Sequence, residues 1–226
     1  MVHGGGKQMT RYLAERGIES RFVNGLRVTT PETIDGVLKV FAGSVNHGLV
    51  SALVAAGARA VGLSGIDACL AEAEQFDPAL GAVGRVVSSD PDILNLLTDN
   101  GYVPVVACVA GDRRGHIYNV NADQMAAACA AAYRAEILLF LTDVPGVKGA
   151  GDEVIPELSV PECERLIEQG IATGGMQAKL NAASDAVRRG VGQVLICPGA
   201  APGIVTQALE GKAVGTRLTL EVPRGV

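Results

Sequence analysis

Glu136-Ile137-Leu138-Leu139-Phe140-Leu141-Thr142-Asp143-Val144-Pro145-Gly146-Val147 is the stretch on which the fold class turns. Its first half is apolar without hydrophobic–polar alternation, and its second half is a polar loop closed by Pro-Gly. A strand of this kind is buried on both faces, as the strands of parallel sheets are. Residues 60–63, 103–108 and 194–197 repeat the pattern, with stretches of helical periodicity between them. Strands and helices in alternation imply an α/β sandwich with a mostly parallel sheet. Ligand loops in such sheets lie at the carboxyl ends of the strands. Thr142 to Val147 reads either as one of these or as a plain β-turn.

Working outward, the helices are well punctuated. Thr30-Pro31 places an N-cap before proline at the first helical position. Ile34, Val37, Leu38, Phe41, Val45, Leu49 and Leu53 then recur at helical spacing to about Ala56. Such a long helix either lies in the core or turns part of its face to another subunit. Further helices are expected over 90–100, 123–133, 160–170, 176–189 and 202–209. Between Leu63 and Val87 the pattern is weak, and Asp77-Pro78 and Gly81 mark a hairpin. No repeat, low-complexity tract or Pro/Gly/Ser-rich linker divides the chain, so residues 1–226 read as one domain.

Composition narrows the function. Apolar residues are 48% of the 226 and aromatics only 4%, so the core is aliphatic. A net charge of −5 and the absence of a basic block argue against nucleic-acid binding. Cys69, Cys108, Cys129, Cys163 and Cys197 are scattered, as are His3, His47 and His116. Their spacing fits no zinc site and suits free thiols in a reducing cytoplasm. No signal peptide and no uninterrupted apolar run of about 20 residues suggest export or a membrane span.

Five segments can carry chemistry. His3-Gly4-Gly5-Gly6 is a backbone cradle for a carboxylate or phosphate, or a tight strand-to-helix turn. Arg27, within Asn24-Gly25-Leu26-Arg27-Val28-Thr29, can pair bidentately with a ligand carboxylate or form a surface ion pair. In Asn119-Val120-Asn121-Ala122-Asp123, the two amides share one side of an extended segment and Val120 faces the core. Asn121 can cap the next helix and Asp123 can orient a lysine. Thr142-Asp143-Val144-Pro145-Gly146-Val147 is the loop already described. In Thr173-Gly174-Gly175-Met176-Gln177-Ala178-Lys179, two glycines precede a helix whose first turn carries Lys179, aiming a cation and free N–H groups at one anion. No P-loop, GxGxxG or GxSxG motif occurs.

Together and in this order, the five segments resemble the acetylglutamate kinases, a branch of the amino acid kinase family, over nearly the whole chain. The resemblance implies an open, eight-stranded, three-layer α/β/α sandwich with a mostly parallel central sheet. It implies a substrate lobe over about 1–120 and a nucleotide lobe over 121–226. The implied reaction is ATP-dependent phosphorylation of the γ-carboxylate of N-acetyl-L-glutamate, in arginine biosynthesis, with Mg2+. The alternatives are a non-catalytic binding domain of the same fold and a kinase for a related acidic amino acid, such as an aminoadipate derivative. Gly5 and Gly6 correspond to donors to the reacting carboxylate, Arg27 to the partner of the α-carboxylate, and Asn119 and Asn121 to contacts with the acetylated amino acid. Asp143, Val144, Pro145, Gly146, Val147 and Lys148, with Ile171, Ala172 and Thr173, match the nucleotide loops. Lys179 corresponds to a lysine on the transferring phosphoryl group, and Asp123 to the aspartate that organises the catalytic lysines. No protein-borne metal site is expected. The resemblance further implies a cytoplasmic, arginine-insensitive homodimer. Family members carry a Lys-x-Gly-Gly strand upstream of the glycine triplet. None stands before His3 here, so an incomplete N-terminus is expected.

Overall fold

The four unalternating apolar runs are strands, at Ala60–Ser64, Val103–Ala107, Ile137–Thr142 and Gln193–Pro198. The computed structural model describes residues 1–23 and 25–221; Asn24, which opens the Asn24-to-Thr29 motif, and residues 222–226 lie outside them. The chain divides into two compact units, Met1–Tyr133 and Arg134–Val226.

In chain order, the first unit contains β1 (Val2–His3), α1 (Gly6–Ala14), β2 (Phe22–Val23), β3 (Leu26–Arg27), α2 (Pro31–Val37), α3 (Asn46–Ala55), β4 (Ala60–Ser64) and β5 (Ala71–Gln75). β6 (Val83–Ser89), α4 (Asp92–Asp99), β7 (Val103–Ala107), β8 (Val109–Gly111), β9 (Ile117–Val120) and α5 (Ala122–Tyr133) complete it. β1, β7 and β4 form a parallel sheet in that order. β2 and β3 form a separate antiparallel ribbon. The expected hairpin is β5–β6, and it belongs to a small closed barrel with β9 and β8. Its core is aliphatic, around Met9, Leu13, Val37, Val106, Val109 and Met125, with Phe41 the one buried phenylalanine of the cluster.

The long periodic segment is a single helix, Pro31–Ala55, whose middle, Leu38–Val45, is π-helical. Thr30 caps it, its hydroxyl accepting the Thr33 N–H at 3.3 Å. By length and mean hydropathy (1.4) this helix would suffice to cross a membrane. Its inner face (Val37, Val40, Phe41 and Asn46) is buried within this unit.

The second unit contains β10 (Ile137–Thr142), β11 (Glu157–Ser159), α6 (Val160–Glu168), α7 (Gly174–Arg188), β12 (Gln193–Pro198), α8 (Ile204–Leu209) and β13 (Thr216–Thr219). The sheet order is β10-β12-β13-β11, with only the β12–β13 pair antiparallel. Ser159 and Glu162 form a capping box that starts α6. α7 begins at Gly174, two residues before the expected Met176. Lys179 therefore stands in the second turn, not the first.

Four of the five cysteines are buried and Cys69 is exposed; all are free thiols. Burial pushes Cys108 up to about 12 and Cys129 up to about 11, so both stay protonated at neutral pH. Among the described residues, no cluster of three or more His, Cys, Asp or Glu side chains can hold a metal ion.

Candidate functional site

The glycine triplet joins β1 to α1 at the carboxyl end of the parallel sheet, where ligand loops belong. Gly5 is the N-cap and has no side chain to offer, and the first turn of α1 carries no acidic residue. Among the described residues, the N–H groups of Gly6, Lys7 and Gln8 donate to no protein acceptor; the first such bond runs from Met9 to Gly5 O, at 2.8 Å. Free N–H groups and the positive end of the helix dipole favour an anion here.

The three glycines have different reasons for lacking a side chain. A Cβ on Gly4 would stand 3.3 Å from Ala122 Cβ, so its absence brings the start of α5 against the triplet. A Cβ on Gly5 would come within 2.9 Å of Phe41 Cδ1 in the π segment. A Cβ on Gly6 would meet nothing within 4 Å. Packing explains the first two glycines and leaves the third open to a ligand.

Arg27 lies beside this turn. Only 8% exposed, it donates through Nη2 to Gly6 O at 3.2 Å and to Thr10 Oγ1 at 2.9 Å, and through Nη1 to Ser20 Oγ. Its Cζ stands 4.5 Å from the Phe22 ring centroid. Burial lowers its pKa, yet a guanidinium keeps its proton. Among the described residues no carboxylate pairs with it. A buried cation without a counter-charge is costly. A carboxylate brought by a ligand would remove that cost.

Asn119 joins the same network. Its Nδ2 donates to Thr29 Oγ1 at 3.1 Å, and that hydroxyl donates to Arg27 O at 2.8 Å. Gly6, Arg27 and Asn119 are thus linked through protein hydrogen bonds. Thr29, fully buried, is the link that residue-by-residue reading passed over, although it closes the quoted Arg27 motif. Asn121 acts as expected of a cap: its Oδ1 accepts from Asp123 N–H at 2.9 Å and Gln124 N–H at 3.2 Å. Val120 faces the core. Asp123 lies in the first turn of α5 and adds to the upward push on the Cys108 thiol.

In the second unit, β10 delivers Asp143 to Lys148 at its carboxyl end. Val147 is buried, and its N–H donates to Thr216 Oγ1 at 2.8 Å. Lys148 pairs with Asp152 at 2.7 Å and bridges to Val154. Ile171 and Ala172 follow α6, both N–H groups donating to Leu166 O at 3.0 Å. Thr173 is the N-cap of α7, and the next residue, Gly174, takes φ 54°, a conformation that favours glycine. A Cβ on Gly174 or Gly175 would meet no neighbour within 4 Å. Lys179 is half-buried, with Nζ 5.2 Å from the Phe140 ring centroid.

Residues 1–198 match the model of the amino acid kinase family. The chain belongs to that family. It is 68% identical over 218 residues to the acetylglutamate kinase of Solibacter usitatus, covering 96% of this chain and 85% of that one. Among solved structures, it is similar to smu.665 of Streptococcus mutans, with a TM-score of 0.87 at 28% identity, covering 97% of this chain and 85% of the other. It is also similar to the N-acetylglutamate synthase of Neisseria gonorrhoeae complexed with coenzyme A and N-acetyl-glutamate, with a TM-score of 0.85 at 26% identity, covering 97% of this chain and 51% of that one.

The arrangement suits an amino acid kinase. Phosphoryl transfer needs oriented donors and cations more than a covalent nucleophile. The first unit offers a buried guanidinium beside the unpaired N–H groups at the start of α1. The second offers glycine backbone, a folded loop after β10, and a lysine. The buried thiols stay protonated at neutral pH.

Proposed function

We propose that this protein is an acetylglutamate kinase. The γ-carboxylate of N-acetyl-L-glutamate attacks the γ-phosphorus of ATP, an O–P bond forms, the bond to the leaving ADP breaks, and an acyl phosphate results. The observation that carries this reading is Arg27: a buried cation with no carboxylate partner among the described residues, beside the start of α1. A substrate with two carboxylates answers both features. One pairs with the guanidinium and the other meets the N–H groups at Gly5 and Gly6. The reacting carboxylate is ionised at pH 7 and needs no general base. Asn119 and Asn121 border the acetylated amino acid.

The nucleotide occupies the second unit in this reading, along Asp143 to Lys148 and Ile171 to Thr173. Lys179 neutralises charge on the transferring phosphoryl group, and Asp123 has the place of the aspartate that organises the catalytic lysines in the resembling kinases. As lobes of one domain, about 1–120 binds the acidic substrate and 121–226 the nucleotide. Mg2+ enters on the phosphates of ATP, as it does in kinase sites generally. The long apolar helix Pro31–Ala55 supports a homodimer, and the setting is the cytoplasm, without membrane or nucleic acid.

Turnover on N-acetylglutamate and on its one-carbon-longer analogue tests the substrate assignment. A methylene changes specificity by only about 1–3 kcal/mol, so kcat/KM must be measured for both. The assignment requires the shorter acid to win by about tenfold or more. A preference for the longer one would move the protein to an aminoadipate-type kinase. Binding without turnover on either would leave a ligand-binding domain.

A further inference from the structure

Thr216 is a buried polar residue outside the five segments read as able to carry chemistry. It opens β13, and its side chain is completely buried. The hydroxyl has two partners. It accepts the Val147 N–H at 2.8 Å and donates to Ile155 O at 2.6 Å. Val147 and Ile155 flank the chain that returns from the loop after β10, and they also bond to each other, Ile155 N–H to Val147 O at 2.9 Å. One hydroxyl thus fastens both legs of the loop to the edge of β13.

The neighbouring glycines are shaped to this contact. A Cβ on Gly146 would stand 2.8 Å from Thr216 Oγ1 and 2.8 Å from Val154 Cγ1. A Cβ on Gly215 would stand 2.1 Å from Ile196 O, and Gly215 has φ 64°. Gly215 therefore lets the chain enter β13 pressed against β12, and Gly146 lets the loop sit down on the hydroxyl. The strand register, with Thr216 opposite Ile196, fixes where the hydroxyl stands. The loop holding Asp143 to Lys148 inherits that position from the sheet.

We propose that Thr216 is a positioning residue for nucleotide binding. It holds the Pro145–Gly146–Val147 turn at the height at which a nucleotide can lie on it. The inference rests on the assignment of that loop to the nucleotide. Thr216 contacts the loop backbone and acts only through it. A hydroxyl with both its donor and acceptor capacity used by one loop is costly to replace by a methyl group, because the buried Val147 N–H and the part-buried Ile155 O would both lose their partner.

The test is calorimetric titration of the full chain with MgADP and, separately, with N-acetylglutamate, for wild type, Thr216→Val, Thr216→Ser and Gly146→Ala. Wild type must bind MgADP; if it does not, the nucleotide assignment of the loop fails, and this proposal with it. Given binding, Thr216→Val is expected to weaken MgADP about tenfold while N-acetylglutamate affinity stays within about twofold. Thr216→Ser, which keeps the hydroxyl, is expected to stay within about twofold for both. Gly146→Ala keeps Thr216 but lifts the turn, and should weaken MgADP selectively even if the valine variant does not fold. Hydrogen exchange at the Val147 amide should speed up in Thr216→Val and not in Thr216→Ser. Equal MgADP affinity in wild type and Thr216→Val would overturn the proposal. So would a serine variant as weak as the valine variant, equal losses for both ligands, or an unaffected Gly146→Ala.

Discussion

Arg27 and Lys179 are the cations to which the proposed function gives a role, one in each unit, and their units hold them differently. Arg27 is buried, and its planar fork is fixed by Ser20, Thr10 and Gly6 O. Lys179 is half-buried on the second turn of α7, its ammonium 5.2 Å from the Phe140 ring centroid. A pre-oriented guanidinium suits recognition of a planar carboxylate that does not change during the reaction. An ammonium is a compact point charge that can follow a phosphoryl group as charge moves. Under the proposed function the difference separates binding from rate: the first unit would select the acid, and the second would act on the transition state.

The largest expected effect follows from that separation. Lys179→Met should lower kcat by about 10²–10³-fold, the range for losing one electrostatic donor to a transition state. N-acetylglutamate affinity should change by less than about threefold, and steady-state kinetics with calorimetry reads both. A comparable loss of substrate affinity would erase the contrast.

Arg27→Met is expected to do the reverse. Loss of a charge-assisted pair costs about 1.5–3 kcal/mol, so N-acetylglutamate binding should weaken about 10–100-fold while MgADP binding holds. A parallel fall in MgADP affinity would show that Arg27 supports the fold generally rather than the acid.

Adjacent glycines sharpen the comparison within the first unit. Gly5→Ala drives a Cβ onto Phe41 and should cost about 1–3 kcal/mol of stability, as overpacking does. Gly6→Ala has open space and should leave the urea midpoint nearly unchanged while weakening N-acetylglutamate about tenfold, by crowding the carboxylate. Equal stability losses would remove the distinction between a packing glycine and a ligand-facing one.

The smallest effect is a pH dependence at His3. Its Nδ1 stands 2.8 Å from Gly4 O, so that nitrogen carries the proton. Nε2 is then free to accept from Asn46 Nδ2 at 3.0 Å. Asn46 is buried and also donates to Val105 O at 2.8 Å, so the end of the π segment is tied to β1 and β7. Protonation of Nε2 would break the Asn46 bond. Burial, above all, lowers the His3 pKa. The unfolded chain then takes up more protons, and stability is full above the unfolded value of about 6.5 and falls as pH drops toward the lower folded value. Urea midpoints should decline from pH 7.5 to pH 5, and His3→Gln should flatten the decline.

Much of this was legible in the residues. The strands show because five or six consecutive apolar side chains have no polar face, as at Ile137 to Leu141. The helix at Thr30-Pro31 shows because capping chemistry is local. The barrel did not show: Ala71-Glu72-Ala73-Glu74-Gln75 and Ile117-Tyr118-Asn119-Val120 are short, polar-rich strands whose partners lie far along the chain. The π segment did not show because, over the eight residues of Leu38–Val45, its period resembles that of an α-helix. Gly174-Gly175 hid the start of α7, since glycine is a poor helix former. Arg27, Asn119 and the glycine turn stood out as candidates, but type and spacing alone left each open between a ligand contact and a structural role. Thr29, Asn46 and Thr216 were not, because a buried hydroxyl or amide that serves the backbone leaves no pattern in sequence.

The central claim is that a carboxylate of N-acetylglutamate receives the phosphoryl group of ATP. Trapping with hydroxylamine tests it most directly. Incubation of the protein with MgATP and N-acetylglutamate should yield the γ-hydroxamate in step with ADP, and neither without the acid. ADP released without hydroxamate, or at the same rate without N-acetylglutamate, would contradict the account.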